Sequence, residues 1–592
     1  MDNQRNLLLA VLLCGVMLLG WDLAMSRLYP QPASVTQAER VDSPTQRAEI
    51  AADGQAIADT IGGDAAPAVA PIKDADAELA KPGRVTIDAP EILGKINPVG
   101  ARIDDIELKK HRRDIDRDSG PIRIFAPEGT EAQQFAQFGW IGEGIDVPNA
   151  QTRWQVQGGA LTQDSPTTLR YDNATGQRFM IELSIDEHYM ITARQTVANT
   201  SGNAVVMRPY AFINRTSRSA SASTWNVHSG PIGNFAQAVQ FGPDYDDLAE
   251  DRSEGITEGR AEWLGFTDIY WMSALIPQEG SNAETEFRAM GNDIFRADMI
   301  YQPVTVASGR QVERTTRLFA GAKESAVLDQ YEASGIDKFG KSIDWGWFSM
   351  IAWPIWWLLT HLFALVGNFG VAIIVLTFLI RLVLFPIAQK QFASMAAMKA
   401  IQPKMKALQE RYKDDKQKQQ QEIMALYKTE KVNPLAGCLP ILIQIPIFFA
   451  LYKTLILAIE MRHQPFALWL RDLSAPDPAH ILNLFGLLPF EVPSLLAIGP
   501  LAILLGVTMW LTFRMNPTAM DPVQKQIFGI MPWLLMFVMA PFAAGLLLYW
   551  VTNNVLTLAQ QSYLYSKNPQ LRAAAEKERA DKEAAAAREA KG

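Results

Sequence analysis

The feature that most constrains this chain is a series of nearly uncharged apolar runs, each about 18 residues or longer, beginning after Trp347. They fall at 369–380 and onward, 435–452, 495–513 and 527–558. Such runs find their solvent in a bilayer, so a purely soluble enzyme is excluded. The averages conceal this, because 48% apolar and 20% charged residues are ordinary soluble values and only their positions separate the two halves. At 592 residues the chain has room for about four domains. Cys14 and Cys438 are its two cysteines, both within apolar runs, which excludes a disulfide framework and a cysteine-based metal site.

Residues 7–19 are apolar and follow Arg5. Gly20-Trp21-Asp22-Leu23-Ala24-Met25 offers no small-x-small cleavage site, and Leu13 is too bulky to precede a lipoprotein cysteine, so 1–29 is expected to be a retained N-terminal anchor helix. Residues 30–84, rich in Ala, Pro, Asp, Gln and Ser, cannot bury enough surface to offset ordering entropy and are expected to form a flexible linker. Over 85–330 short alternating stretches punctuated by Gly, Pro and Asn predict a large antiparallel all-β sandwich. Residues 180–185 and 189–197 are expected to pair across an Asp186-Glu187-His188 turn, with further strands at 205–212, 267–272, 287–290, 300–306 and 311–319. His188, His228, Glu262 and Asp268 are available for acid–base chemistry. No nucleophile elbow, phosphate loop or histidine–carboxylate metal spacing accompanies them, so they read as turn and surface residues of a binding or scaffolding module, not an enzyme.

Residues 342–366 contain Trp345, Trp347, Trp353, Trp356 and Trp357, interrupted by Pro354. Tryptophan gathers where apolar and wet surroundings meet, so an interfacial amphipathic helix along the outer bilayer surface is expected, ended by Gly367-Asn368 and Gly370. Spans follow at 369–388, 435–459, 495–513, 527–541 and 543–563, separated by an external loop at 460–494 and a cytoplasmic loop at 514–526. Between Arg381 and Asn433 there are eleven cations against five acids, and seven further cations lie in the tail at 564–592. Lysine and arginine placement therefore puts both of these segments and both termini in the cytoplasm, with the sandwich outside.

The segment 389–433 repeats apolar residues at three and four positions, predicting a cytoplasmic helical hairpin. Its methionines Met395, Met398, Met405 and Met424 either close the hairpin on itself or offer a pliable surface to partner segments. Arg381 is the sharpest single residue. It lies about a dozen positions into the first long span, where insertion scales set the cost of a charge at about 2.5 to 3.5 kcal/mol. Thr377, Gln444, Thr552, Asn553 and Asn554 also lie within spans, and gathered together they would line a wet cavity. No acidic residue in the spans is an obvious partner for Arg381, so a cation held there is a receptor for something negative brought from elsewhere. Snorkelling of the side chain to the cytoplasmic surface is the plainer alternative.

Several motifs carry a resemblance. Tyr427-Lys428-Thr429-Glu430-Lys431-Val432-Asn433-Pro434-Leu435-Ala436-Gly437-Cys438-Leu439-Pro440, continuing Ile443-Gln444-Ile445-Pro446-Ile447-Phe448, resembles the hallmark of the YidC membrane protein insertases. So do Arg381 with Pro386, Pro465-Phe466-Ala467-Leu468-Trp469 with Asp472-Leu473, and Gly545-Leu546 with Leu548-Tyr549-Trp550. The resemblance covers residues 345–563 and extends more loosely to the anchor and the external domain of the Gram-negative members, which resembles a galactose-mutarotase-like supersandwich. It implies a multi-domain protein of the bacterial inner membrane, with an α-helical five-span insertase core around a hydrophilic groove. There Arg381, with Thr377, Gln444, Tyr549, Trp550, Asn553 and Asn554, would receive acidic translocated segments of nascent membrane proteins. It also implies work with the Sec translocon, contact with ribosomes through the hairpin and basic tail, and neither nucleotide nor cofactor. Many relatives carry a second tyrosine where Trp550 stands, and 481–500 is longer than the usual external connection, so it is either a re-entrant hairpin or a loop. The competing reading is a secondary transporter in which Arg381 binds a small anion, against which stands the lack of internal repeats.

Overall fold

A computed structural model describes residues 72–567 apart from 117, 143, 222–226, 251–257, 347–348, 414, 431–438, 485–487, 489–491, 493–496 and 516–521. The expected anchor, most of the linker, the Cys438 motif and nearly all of the tail lie outside the described residues. The chain divides into two compact units, with the main boundary between Ser342 and Ile343.

In the first unit two antiparallel sheets, of ten and nine strands, carry the alternating sequence. The strand Gln177–Ile185 shows how the pattern works: Phe179, Ile181, Leu183 and Ile185 point inward and are buried, while Arg178 and Ser184 face out. Each such side chain contributes about 1.5 to 3 kcal/mol by burial. Its partner Met190–Asn199 pairs in the register Ile185↔Ile191. Asp186 makes the turn, with Oδ1 accepting from the backbone N–H groups of His188 (2.9 Å) and Met190 (3.0 Å). Trp140, Trp263, Phe138 and Phe266 fill the core. Among the described residues the unit also carries short α-helices, α1 (Ala75–Leu79), α2 (Tyr245–Ala249) and α3 (Ser325–Ala333). Tyr331 fastens α3 to the hairpin, its hydroxyl donating to Asp186 Oδ2 (2.8 Å) and accepting from Tyr189 N–H (3.0 Å).

Three expectations for this unit are corrected. The expected strand at 267–272 is a hairpin turn between Ala261–Thr267 and Trp271–Pro277, because Asp268 supplies turn chemistry that the flanking apolar residues masked. Asp268 is also buried, not a surface residue: it pairs with Arg215 at 2.6 Å and accepts from Ser229 Oγ and Ser221 N–H. The expected strand at 300–306 splits into Ile294–Tyr301 and Val304–Val306 at Gln302-Pro303, where proline has no N–H for the ladder.

The second unit is helical: α4 (Ser349–Val366), α5 (Phe369–Arg411), α6 (Lys416–Thr429), α7 (Leu439–Leu457), α8 (Pro500–Met515), α9 (Pro522–Met539) and α10 (Ala544–Lys567). Among the described residues, two helical stretches are long and apolar enough to cross a membrane, Ser349–Val366 and Phe369–Gln389; Gln444–Leu457, Pro500–Met515 and Gly529–Met539 are apolar but shorter. The first of these is the helix expected to be amphipathic. It is largely apolar on its exposed side too, with Ala352, Ile355 and Leu359 buried and Met350, Trp353, Trp357 and Leu365 exposed beside the polar His361. Pro354 does not interrupt it, since the proline sits near the N-terminal end, where one hydrogen bond is lost and the helix continues.

The break before α5 stands where Gly367-Asn368 is read. Gly367 takes φ +68° and its N–H closes on Phe363 O (2.7 Å), while Asn368 Oδ1 caps α5 by accepting from Val371 N–H (3.0 Å). A Cβ on Gly370 would overlap the Phe466 ring. Asn368 Nδ2 also donates to Phe466 O (2.9 Å), so the Pro465-Phe466 segment is clamped over this helix start. The described part of 481–500 contains turns and no helix before Pro500. Asp477 organises its approach, accepting from Trp469 Nε1 (2.9 Å) and from the N–H groups of Ala479 (3.1 Å) and Leu501 (3.0 Å). The last interaction caps α8.

Candidate functional site

Arg381 stands in the fourth turn of α5 and reaches α10, half-buried among polar groups. Nε donates to Asn553 Oδ1 at 2.9 Å, Nη1 to Gln560 Oε1 at 3.3 Å, and Nη2 to Asn553 O at 3.2 Å and to Thr557 Oγ1. The acceptors recur at positions 553, 557 and 560, which are neighbours on one helical face. Thr557 in turn donates to Asn553 O at 2.6 Å, fixing its hydroxyl lone pairs toward the guanidinium. Each of these partners is neutral, and among the described residues no acid lies in salt-bridge contact with Arg381. The cation is hydrogen-bonded but its charge is not neutralised.

One turn along α10, Tyr549 is buried and its hydroxyl accepts from Gln444 Nε2 on α7 at 2.8 Å. The neighbouring Trp550 packs on Phe448 of α7, ring centroids 4.9 Å apart. Three of the residues expected in one cavity, Gln444, Tyr549 and Trp550, thus link α10 to α7, and Asn553 links it to Arg381 on α5. The other two lie apart from the guanidinium. Thr377 is fully buried and its hydroxyl donates to Ile373 O (2.6 Å) in its own helix; Asn554 is buried against α8, where Nδ2 donates to Thr508 Oγ1 (3.1 Å). Adjacent positions on a helix point about 100° apart, so Asn553 and Asn554 cannot serve the same neighbour. Thr557 and Gln560 were missed from the sequence. Their signal was there: with Asn553 they stand at i, i+4 and i+7 in an otherwise apolar span.

Beyond Arg381, α5 runs without a break through the boundary expected at 388/389 and folds back on α6. Asp415 caps α6 by accepting from Lys418 N–H (3.0 Å), and Lys404 pairs with Glu430 at 2.6 Å. The seam is closed at Met405, which is 5% exposed and receives a hydrogen bond from Tyr427 OH to Sδ (3.3 Å). Met405 is therefore unavailable as a contact for partner segments. Met424, 51% exposed, is open. The side chains of Met395 and Met398 lie outside those described.

Two family models match the chain, one described as 60Kd inner membrane protein over residues 361–571 and one as YidC periplasmic domain over residues 84–358. The membrane protein insertase YidC of Zymomonas mobilis subsp. mobilis is 42% identical over 569 residues, covering 96% of this chain and 96% of that protein. The protein of the same name in Cereibacter sphaeroides is also 42% identical, over 591 residues, covering 95% of this chain and 92% of its own length. Among solved structures, an active YidC insertase with its first transmembrane domain resolved matches 88% of this chain and 99% of its own at 18% identity, with a TM-score of 0.35.

Proposed function

The chain belongs to the YidC family of bacterial membrane protein insertases, and from that premise we propose that it inserts nascent inner-membrane proteins, and assists their folding, through a polar groove on Arg381. The observation that supports this is the neutral company of the guanidinium. A cation bound only to amide, carbonyl and hydroxyl oxygens keeps its attraction for a carboxylate, worth about 4 kcal/mol at 4 Å and an effective dielectric of 20, before desolvation. An acidic translocated segment is drawn into the groove, and its apolar neighbour then passes into lipid, driven by burial of apolar surface. The exposed apolar side chains Leu382 and Val383 on α5, Leu504 and Val507 on α8, and Trp533 and Leu534 on α9 suit that lipid contact.

In this reading α4 lies at the outer interface, α5 and α7 to α10 form the core, the β unit is periplasmic, and the hairpin and tail face the cytoplasm. Nascent chains, the Sec translocon and ribosomes are the partners. Insertion assays in depleted membranes test it, using clients whose translocated segments carry acidic residues or their amide counterparts. Arg381→Ala is expected to slow the acidic clients selectively, and Arg381→Lys to retain more activity than Arg381→Ala, because charge counts for more than fork geometry. Undiminished insertion of acidic clients by Arg381→Ala would contradict the reading.

A further inference from the structure

We propose that Asn553, Thr557 and Gln560 are positioning and specificity-determining residues: a ladder of neutral acceptors that holds Arg381 in place and is exchanged for the carboxylate of an acidic client segment. The inference rests on the groove reading and assigns its selectivity to α10. The ladder engages all three guanidinium nitrogens, two of them through Asn553 and one each through Thr557 and Gln560. A carboxylate adds Coulomb attraction and two-oxygen, bidentate geometry to its hydrogen bonds with the guanidinium, which the neutral oxygens of the ladder lack. An incoming acid therefore displaces them, whereas a neutral client does not.

A second observation points the same way. Gln560 Nε2 is buried and has no acceptor among the described residues, while the other end of the same amide receives Arg381 Nη1. A free donor thus stands beside the cation, where a carboxylate accepting from Arg381 with one oxygen could accept from Gln560 with the other. A buried amide donor left unpaired is unfavourable, and a client's oxygen would relieve that by accepting from it.

The ladder's chemistry makes an electrostatic test possible. Gln560→Glu keeps the length of the side chain but supplies an internal carboxylate at millimolar or higher effective concentration, so it occupies Arg381 and removes the free donor. In the full-length protein, insertion of an acidic client is expected to fall by about tenfold or more with Gln560→Glu, because like charges juxtaposed at a recognition site repel. The same client with its acids changed to amides should insert as with the wild type. Gln560→Ala, which loses acceptor and donor together, should give a smaller loss confined to the acidic client. In an Arg381→Ala background Gln560→Glu should add nothing. The proposal is overturned if Gln560→Glu matches wild type on the acidic client while Arg381→Ala is impaired, which leaves the groove reading intact. It is equally overturned if Gln560→Glu slows both clients alike, which marks a structural role. If Arg381→Ala itself leaves the acidic client unaffected, the groove reading falls and the ladder with it.

Discussion

Lys453 illustrates how much a single residue holds in the helical unit. It is only 7% exposed, on α7, and its Nζ donates to Asp344 Oδ2 (2.8 Å) and Asp344 O (3.0 Å) just before α4 begins. Gly346 follows with φ +67°, and a Cβ there would press on the Lys453 side chain. Lys453→Met leaves the Asp344 carboxylate half-buried and unpaired, so it is expected to cost about 2 kcal/mol, below the range for fully buried pairs. Thermal unfolding in detergent, with Asp344→Asn and the double variant closing a cycle, measures it. A second residue-scale prediction concerns Asp105 in the strand Arg102–Arg112, whose carboxyl burial pushes up to about 6, against the opposing pull of Arg123 and with Glu107 and Asp104 adding to the rise. The folded state holds this proton between about pH 4 and 6 while the unfolded state releases it, so the residue's contribution to stability falls as pH rises through that window. Asp105→Asn removes that slope, on the order of 3 kcal/mol between pH 4 and 7. Hydrogen exchange of this strand in the intact protein, compared at the two pH values, reads the difference.

At the scale of elements, the start of α5 and the hairpin make opposite predictions. Gly370→Ala is expected to lose several kcal/mol and be partly rescued by Phe466→Ala, because the clash is with that one ring. In the hairpin, Met405→Ala should loosen α5 from α6 and raise protease cleavage there by opening the seam, whereas Met424→Ala should leave cleavage unchanged. Much of this was legible beforehand. Period-2 alternation located the 177–199 hairpin to within a few residues, and Gly367-Asn368 located the helix break, because both depend on local chemistry. The continuity of α5 was not, since composition changes at 388 from lipid-like to charged while the backbone has no reason to stop; Pro386 and Pro403 are both absorbed within the helix. Long-range pairings were equally hidden. Nothing near Asp268 announces Arg215, and nothing near Lys453 announces Asp344. Around Arg381, the polar residues Gln444, Tyr549 and Asn553 were readable as polar groups in apolar spans or through resemblance. The side on which Asn554 lies was fixed only by its partner Thr508.

For the whole molecule, a β unit with many buried strands is joined in sequence to a helical unit whose outer residues are largely apolar. The helical unit spends its polar residues sparingly: Lys453, Asp472 and Asp477 secure the loops near α4, α7 and α8, and Gln444, Asn553, Thr557 and Gln560 gather around Tyr549 and Arg381. The central claim is that this gathered cation meets a client's carboxylate directly. Photo-cross-linking from the acidic position of a stalled client segment to the full-length protein tests it most directly, with adduct sites mapped by peptide mass. Adducts on α5 around 377–385 and on α10 around 549–560, lost in Arg381→Ala, are the expected result. Adducts confined to the lipid-facing residues of α9, or groove adducts unchanged in Arg381→Ala, would contradict the account.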